Sequence, residues 1–93
     1  MSINFSLILP CYNEGKNIPI IYKEFLEIPV KEYKAELILV NNGSQDNTKE
    51  EIEKIIKKNN LDNIKVHLVD LSENLGYGGG ISEGLKIAQG DYI

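Results

Sequence analysis

Residues 36–47 read Glu-Leu-Ile-Leu-Val-Asn-Asn-Gly-Ser-Gln-Asp-Asn, four apolar residues without a polar break and then an abrupt run of small polar ones. A strand with one wet face alternates polar and apolar residues. Leu37-Ile38-Leu39-Val40 does not, so the segment predicts a strand over 36–40 buried on both faces, the type found in parallel sheets. Asn41-Asn42-Gly43-Ser44 favour a turn, and Asp46 or Ser44 can cap a helix after it. That helix is predicted to reach about Asn59, with Ile52, Ile55 and Ile56 as its inner stripe. Its acids come early (Glu50, Glu51, Glu53) and its lysines late (Lys54, Lys57, Lys58), which suits the helix dipole and offers Glu50–Lys54 and Glu53–Lys57 pairs.

The same signals repeat on either side. Upstream, Phe5 to Pro10 is another short apolar run. From Gly15 to about Glu27, Ile18, Ile21, Tyr22, Phe25 and Leu26 recur at helical spacing, with Pro19 in the first turn and Pro29 as the stop. Downstream, Lys65 to Leu71 predicts a third strand. A glycine-rich loop ending at Gly80 precedes a third helix carrying Ile81, Leu85 and Ala88 and closing at Gly90, and Asp91-Tyr92-Ile93 opens a fourth strand. Strict strand–helix succession predicts an α/β fold, a Rossmann-like parallel sheet with flanking helices and right-handed crossovers. Ligands of such sheets bind beyond the carboxyl ends of the strands, so the segments 10–15, 41–47 and 70–80 are the places to search for a site.

Composition narrows the chemistry. The 93 residues, 42% hydrophobic and 26% charged, allow a single domain with a thin core and exclude a second domain, disorder or a fibre. All ten basic residues are lysine, and the net charge is −4, so no cationic face exists for duplex nucleic acid and no arginine fork for phosphate. The lone Cys11 and lone His67 make neither an intrachain disulfide nor a zinc site. Cys11 reads as a packing residue in a reducing compartment, and His67 as a strand residue facing solvent or a neighbour. The amino terminus has no signal-peptide pattern, and no apolar run is long enough to span a membrane. A cytoplasmic location is expected, with a place at the cytoplasmic face of a membrane open to the intact protein.

Each loop supports a bland reading beside a functional one. The glycine run 76–80 fits neither a dinucleotide fingerprint nor a P-loop, and serves either tight strand–helix packing or an anion at a helix start. Tyr12 can stack on a base or act, like Tyr77, as a partly buried spacer. Glu14 can accept hydrogen bonds from base or ribose or complement a helix dipole. Asn42 and Ser44 are turn and cap residues or nucleoside contacts.

Taken together, Pro10-Cys11-Tyr12-Asn13-Glu14 after the first strand, Val40 through Thr48 after the second, and Asn74-Leu75-Gly76 through Gly84, Ala88 and Gly90 to Ile93 resemble family 2 glycosyltransferases over essentially the whole chain. The third loop looks most like the branch of polyprenyl- and dolichol-phosphate sugar synthases. The resemblance implies the N-terminal, nucleotide-binding half of a GT-A fold, a single partial domain over 1–93. It implies a UDP- or GDP-linked sugar donor, with Pro10, Tyr12 and Glu14 lining the base and ribose pocket, Asn42 and Ser44 touching the nucleoside, and Gly76 letting the third loop approach. Two departures stand out. Asn41-Asn42 replaces the family's common Asp-Asp, which leaves the base open, and Ile81-Ser82 stands where some members carry Arg-Asn.

In the family, an Asp-x-Asp type motif for Mg2+ or Mn2+ and an acceptor base follow the position of Ile93. The intact protein is therefore expected to move a sugar onto a lipid-phosphate or saccharide acceptor, and the 93-residue chain alone to be inactive. A nucleotidyltransferase-like domain is disfavoured by the absence of a basic residue in the glycine run. The remaining alternative is a non-catalytic nucleotide-binding or self-associating module, pairing through an exposed sheet edge.

Overall fold

A computed structural model describes residues 3–27 and 34–90. Three strands, β1 (Phe5–Cys11), β2 (Ala35–Asn42) and β3 (Ile64–Leu71), alternate with three helices, α1 (Ile18–Glu27), α2 (Thr48–Lys58) and α3 (Gly76–Leu85). The strands form one parallel sheet in the order β1-β2-β3. All eight residues of β2 are buried, as an unbroken apolar run predicts for a central strand.

Period-two alternation divides the sheet into two faces. Leu37 and Leu39 of β2 join Ile18 and Phe25 of α1 and Ile52 and Ile55 of α2 in the larger core. Ile8, Ile38 and Val40 face the other way, packing with Val69, Leu71, Ile81 and Ala88. Two successive right-handed crossovers that advance in one direction put α1 and α2 on the same face. α3 lies on the opposite face, so the chain's course reverses after β3. It runs back over β2 to β1, where the Gly90 amide donates to Ser6 Oγ at 2.9 Å. In open α/β sheets such a reversal marks the carboxyl ends of the strands as the ligand crevice.

Several boundaries differ from expectation. β2 extends through Asn41 and Asn42, which pair in register with Asp70 and Leu71 instead of forming a turn. α1 begins at Ile18, because Gly15 to Asn17 form a turn in which the amides of Asn17 and Ile18 donate to the Glu14 carbonyl. α3 starts at Gly76, so the expected glycine-rich loop is the helix's first turn, and it ends at Leu85, five residues before Gly90. The N-cap position of α2 is Asn47, not Asp46 or Ser44. Lys54 pairs with Glu51 at 2.8 Å, not with Glu50. Pro29 and the expected strand opening at Asp91-Tyr92-Ile93 lie outside the described residues.

Close packing explains why glycine occupies positions 80 and 84 of α3 despite its low helix propensity. A Cβ on Gly80 would lie 3.0 Å from Pro10 Cβ, and one on Gly84 would run into Ile8 Cγ2. Gly84→Ala is expected to cost about 1–3 kcal/mol through overpacking, read as a lower urea midpoint at unchanged m-value.

Candidate functional site

The loop after β1 and the turn after β2 are joined by side chains that satisfy backbone. The amides of Asn13, Glu14 and Gly15 donate to Ser44 Oγ, Thr48 Oγ1 and Asp46 Oδ2 at 3.0, 2.9 and 3.1 Å. In return, the Gln45 amide donates to Asn13 Oδ1 at 2.8 Å. Asn13 holds φ +53°, a left-handed conformation that asparagine tolerates better than most residues. Asp46 Oδ1 also accepts from the Thr48 amide at 2.9 Å and from the Thr48 hydroxyl. The hydrogen bond from the Thr48 hydroxyl, together with those from the Gly15 and Thr48 amides, holds the Asp46 carboxyl below its ordinary value.

The buried amides of Asn41 and Asn42 organise the other side. Asn41 Nδ2 donates to Asp70 Oδ1 at 2.8 Å, and Lys49 Nζ lies 3.4 Å from Asp70 Oδ2. Asn42, 3% exposed, accepts from the Leu75 amide at 2.9 Å and donates through Nδ2 to the Gly76 carbonyl at 3.0 Å. An aspartate at 42 would set a carboxylate against that carbonyl, which gives the departure from Asp-Asp a local reason. Gly43, at φ +70°, packs directly on the backbone of Glu73 and Asn74.

A cavity of about 240 Å³ opens at the carboxyl end of the sheet, lined by Pro10, Tyr12, Asn42, Asn74, Gly76 and Tyr77. Four of the six sequence-predicted residues (Pro10, Tyr12, Asn42 and Gly76) are thus brought together, while Glu14 and Ser44 are not part of the lining. Glu14 Oε2 accepts from Asn17 Nδ2 at 2.9 Å, and Ser44 is engaged with loop backbone. Tyr77, 77% exposed, and Tyr12, 43% exposed, are surface residues of the cavity and not partly buried spacers. Sequence reading missed Asn74 as a lining residue; its signal was the Asn-Leu-Gly turn ahead of the glycines.

At the start of the glycine run the Gly76 amide donates to Asn74 Oδ1 at 2.7 Å and the Leu75 amide to Asn42. Close packing accounts for Gly80, whereas a Cβ on Gly76 or Gly78 would meet open space, and Gly76 instead holds φ +77°. Cys11 is buried, and desolvation with the nearby Glu14 carboxylate pushes its thiol up to about 11, consistent with a packing role. Another cavity, of about 270 Å³ and lined by Ile3, Lys34, Asp62, Asn63 and Lys65, lies at the amino ends of the strands, away from these loops.

The sequence matches the profile described as Glycosyl transferase family 2 over residues 6–93. The chain belongs to that family. It is 41% identical over 88 residues to the poly-beta-1,6-N-acetyl-D-glucosamine synthase of Staphylococcus aureus (strain COL), covering 95% of this chain and 20% of that protein. An uncharacterized glycosyltransferase of Synechocystis sp. is 33% identical over 95 residues, covering 100% of this chain and 28% of that one. The crystal structure of S. aureus TarS 1-349 superposes with a TM-score of 0.76 at 25% identity, covering 98% of this chain and 27% of that one. The fold is therefore the N-terminal portion of a GT-A glycosyltransferase, and the chain spans 20% to 28% of the length of these relatives.

Two expectations tied to the family bear on the described residues. They contain no group of three or more His, Cys, Asp or Glu side chains arranged to hold a metal ion, so a divalent cation has no ligand set among them. No helix among them is long and apolar enough to cross a membrane.

Because the folded Asp46 carboxyl titrates below its ordinary value of 3.8, its contribution to stability is complete above that value. It is lost as pH falls through the lower, folded value. Asp46→Asn is expected to be less stable at pH 7 and to show a flatter stability profile between about pH 5 and pH 2, followed by urea unfolding at each pH.

Proposed function

We propose that the cavity at the carboxyl ends of β1 and β2 receives the nucleoside of a nucleotide-sugar donor, and that the intact protein transfers the sugar to an acceptor. The observation that supports this most directly is the meeting of Pro10, Tyr12, Asn42 and Gly76, from the end of β1 and the loop after it, the end of β2 and the start of α3, around one cavity. Exposed tyrosine faces suit a flat base, and Asn42, with both hydrogen-bonding ends already in use, still has one N–H and one lone pair for base or ribose. In the transfer, the bond between the anomeric carbon and the diphosphate oxygen breaks and a bond to an acceptor oxygen forms. The hydroxyl proton and a nucleoside diphosphate leave.

Of the two acceptor classes, a saccharide hydroxyl is favoured over a lipid phosphate, because the curated relative with 41% identity carries the name of a polysaccharide synthase. A role in polysaccharide or cell-envelope synthesis on the cytoplasmic side of the membrane follows from the same reading. Glu14 and Ser44 serve the site by shaping the loop that carries Tyr12. Mg2+ or Mn2+, where the intact protein uses it, is held by residues other than those described. The self-association reading rests on an exposed sheet edge; among the described residues β1 and β3 each pair on one side only, and the unfinished last strand on which it also depends lies outside them.

Isothermal titration with UDP and GDP tests the proposal. One of the two is expected to bind more tightly, with an affinity unchanged by Mn2+. Tyr12→Ala should weaken binding by about 1–3 kcal/mol, the scale of one base–aromatic stack. Failure of both nucleotides to bind would sink the donor reading, and unchanged affinity in Tyr12→Ala would remove Tyr12 from the site.

A further inference from the structure

The amino-terminal end of β2 carries a polar cluster that the donor cavity does not use. Glu36 is 1% exposed near the start of β2, just ahead of its apolar run. Its Oε1 accepts from Ser6 Oγ of β1 at 2.6 Å and from the Gln89 amide beyond α3, also at 2.6 Å. Its Oε2 lies 3.2 Å from His67 Nε2 of β3. Ser6 Oγ in turn accepts from the Gly90 amide at 2.9 Å. The connectivity excludes a nucleophilic triad, since the serine donates to the carboxylate and not to the imidazole, and Ser6 is itself buried. One carboxylate instead ties both neighbouring strands to the segment that leaves α3.

At the other end of the same strand face, six residues or roughly 20 Å away, Asn42 holds the start of α3 by the Leu75 amide and the Gly76 carbonyl. Between these two anchors, Gly80 and Gly84 let α3 lie directly on β1 and β2. Gly80 and Gly84 offer no side chain to interlock with the sheet, and the apolar packing of Ile81 and Ala88 on Ile8, Ile38 and Val40 is non-directional, so the polar anchors at the two ends supply the directional contacts that fix where the helix sits along it. Resting on the donor reading above, we propose that Glu36 is a positioning residue. It sets the seat of α3 on the sheet from below and thereby fixes Gly76 and Tyr77 at the donor cavity, which it does not touch.

Glu36→Gln and Glu36→Leu separate this role from packing, because both retain side-chain bulk and only the glutamine retains an acceptor for Ser6 Oγ and the Gln89 amide. Nucleotide affinity and amide exchange are measured on both. Glu36→Leu is expected to weaken UDP or GDP binding by about 2- to 30-fold, the usual range for a remote position coupled to a site. It should also speed exchange at Gln89 and, at the distant end, at Leu75. Glu36→Gln should restore both. Wild-type exchange at Leu75 in a folded Glu36→Leu variant overturns the proposal, as does lost protection at Gln89 with unchanged affinity. If the wild-type chain binds neither nucleotide, the donor reading fails, and the Leu75 exchange rate alone still decides whether Glu36 seats the helix.

Discussion

Burial of β2 on both faces is the constraint from which the rest of the structure follows. A strand with no wet side cannot leave a polar group to solvent, and an unpartnered buried polar group costs about 1–3 kcal/mol. β2 nevertheless carries Glu36, Asn41 and Asn42, all buried. Each is satisfied by neighbouring elements: Glu36 by β1, β3 and the segment after α3, Asn41 by the end of β3, and Asn42 by the start of α3. Among the described residues no buried side-chain nitrogen or oxygen lacks a partner. The apolar centre of the strand supplies the driving force of the fold, and its polar ends determine where the surrounding elements stop and turn.

The candidate site is a consequence of the same accounting. Backbone amides of the loop after β1 have no strand partner, and they are met by Ser44, Asp46 and Thr48 across the gap. These bonds make the loops after β1 and β2 one rigid wall before any ligand arrives. A preformed wall lowers the ordering cost of binding. It also means that Ser44 is occupied with architecture, a role that its position in a polar turn does not distinguish from ligand contact.

Much of this was legible in the sequence, and the misses have physical causes. The unbroken run Leu37–Val40 revealed a buried parallel strand, and the isoleucine spacing of α2 revealed its inner face. Asn41 and Asn42 read as a turn because asparagine usually forms one. They are strand residues here because Asp70, Ser44, Leu75 and Gly76 happen to accept and donate at the right places, a fact of tertiary structure. The glycines of α3 read as a loop for a similar reason. Their low propensity is local, whereas the close approach to Ile8, Pro10 and Asn42 that requires glycine at 80 and 84 is set by residues more than thirty positions away. Glu36 was the overlooked signal: a lone charge opening an apolar strand implies a buried partner. For the candidate site, the sequence and the family resemblance brought forward Pro10, Tyr12, Asn42 and Gly76 but could not tell lining residues from the loop-binding Glu14 and Ser44.

The division between satisfied and unsatisfied surface indicates where affinity and selectivity arise. Polar groups around the cavity are largely engaged within the protein, so a ligand gains little by competing for them. The large exposed side chains of the lining are aromatic, Tyr12 and Tyr77. Stacking on such faces is tolerant of the base because every base presents a π surface. On the proposed donor reading, discrimination between bases would fall to the directional groups in the cavity lining, the Asn42 and Asn74 amides. Since Asn42 must also hold the start of α3, a change there that altered base preference would disturb the helix as well. Asn74 accepts from the Gly76 amide on the exposed turn just before α3 and makes none of the bonds between Asn42 and the helix start, so on the same reading a change there would disturb α3 less than a change at Asn42.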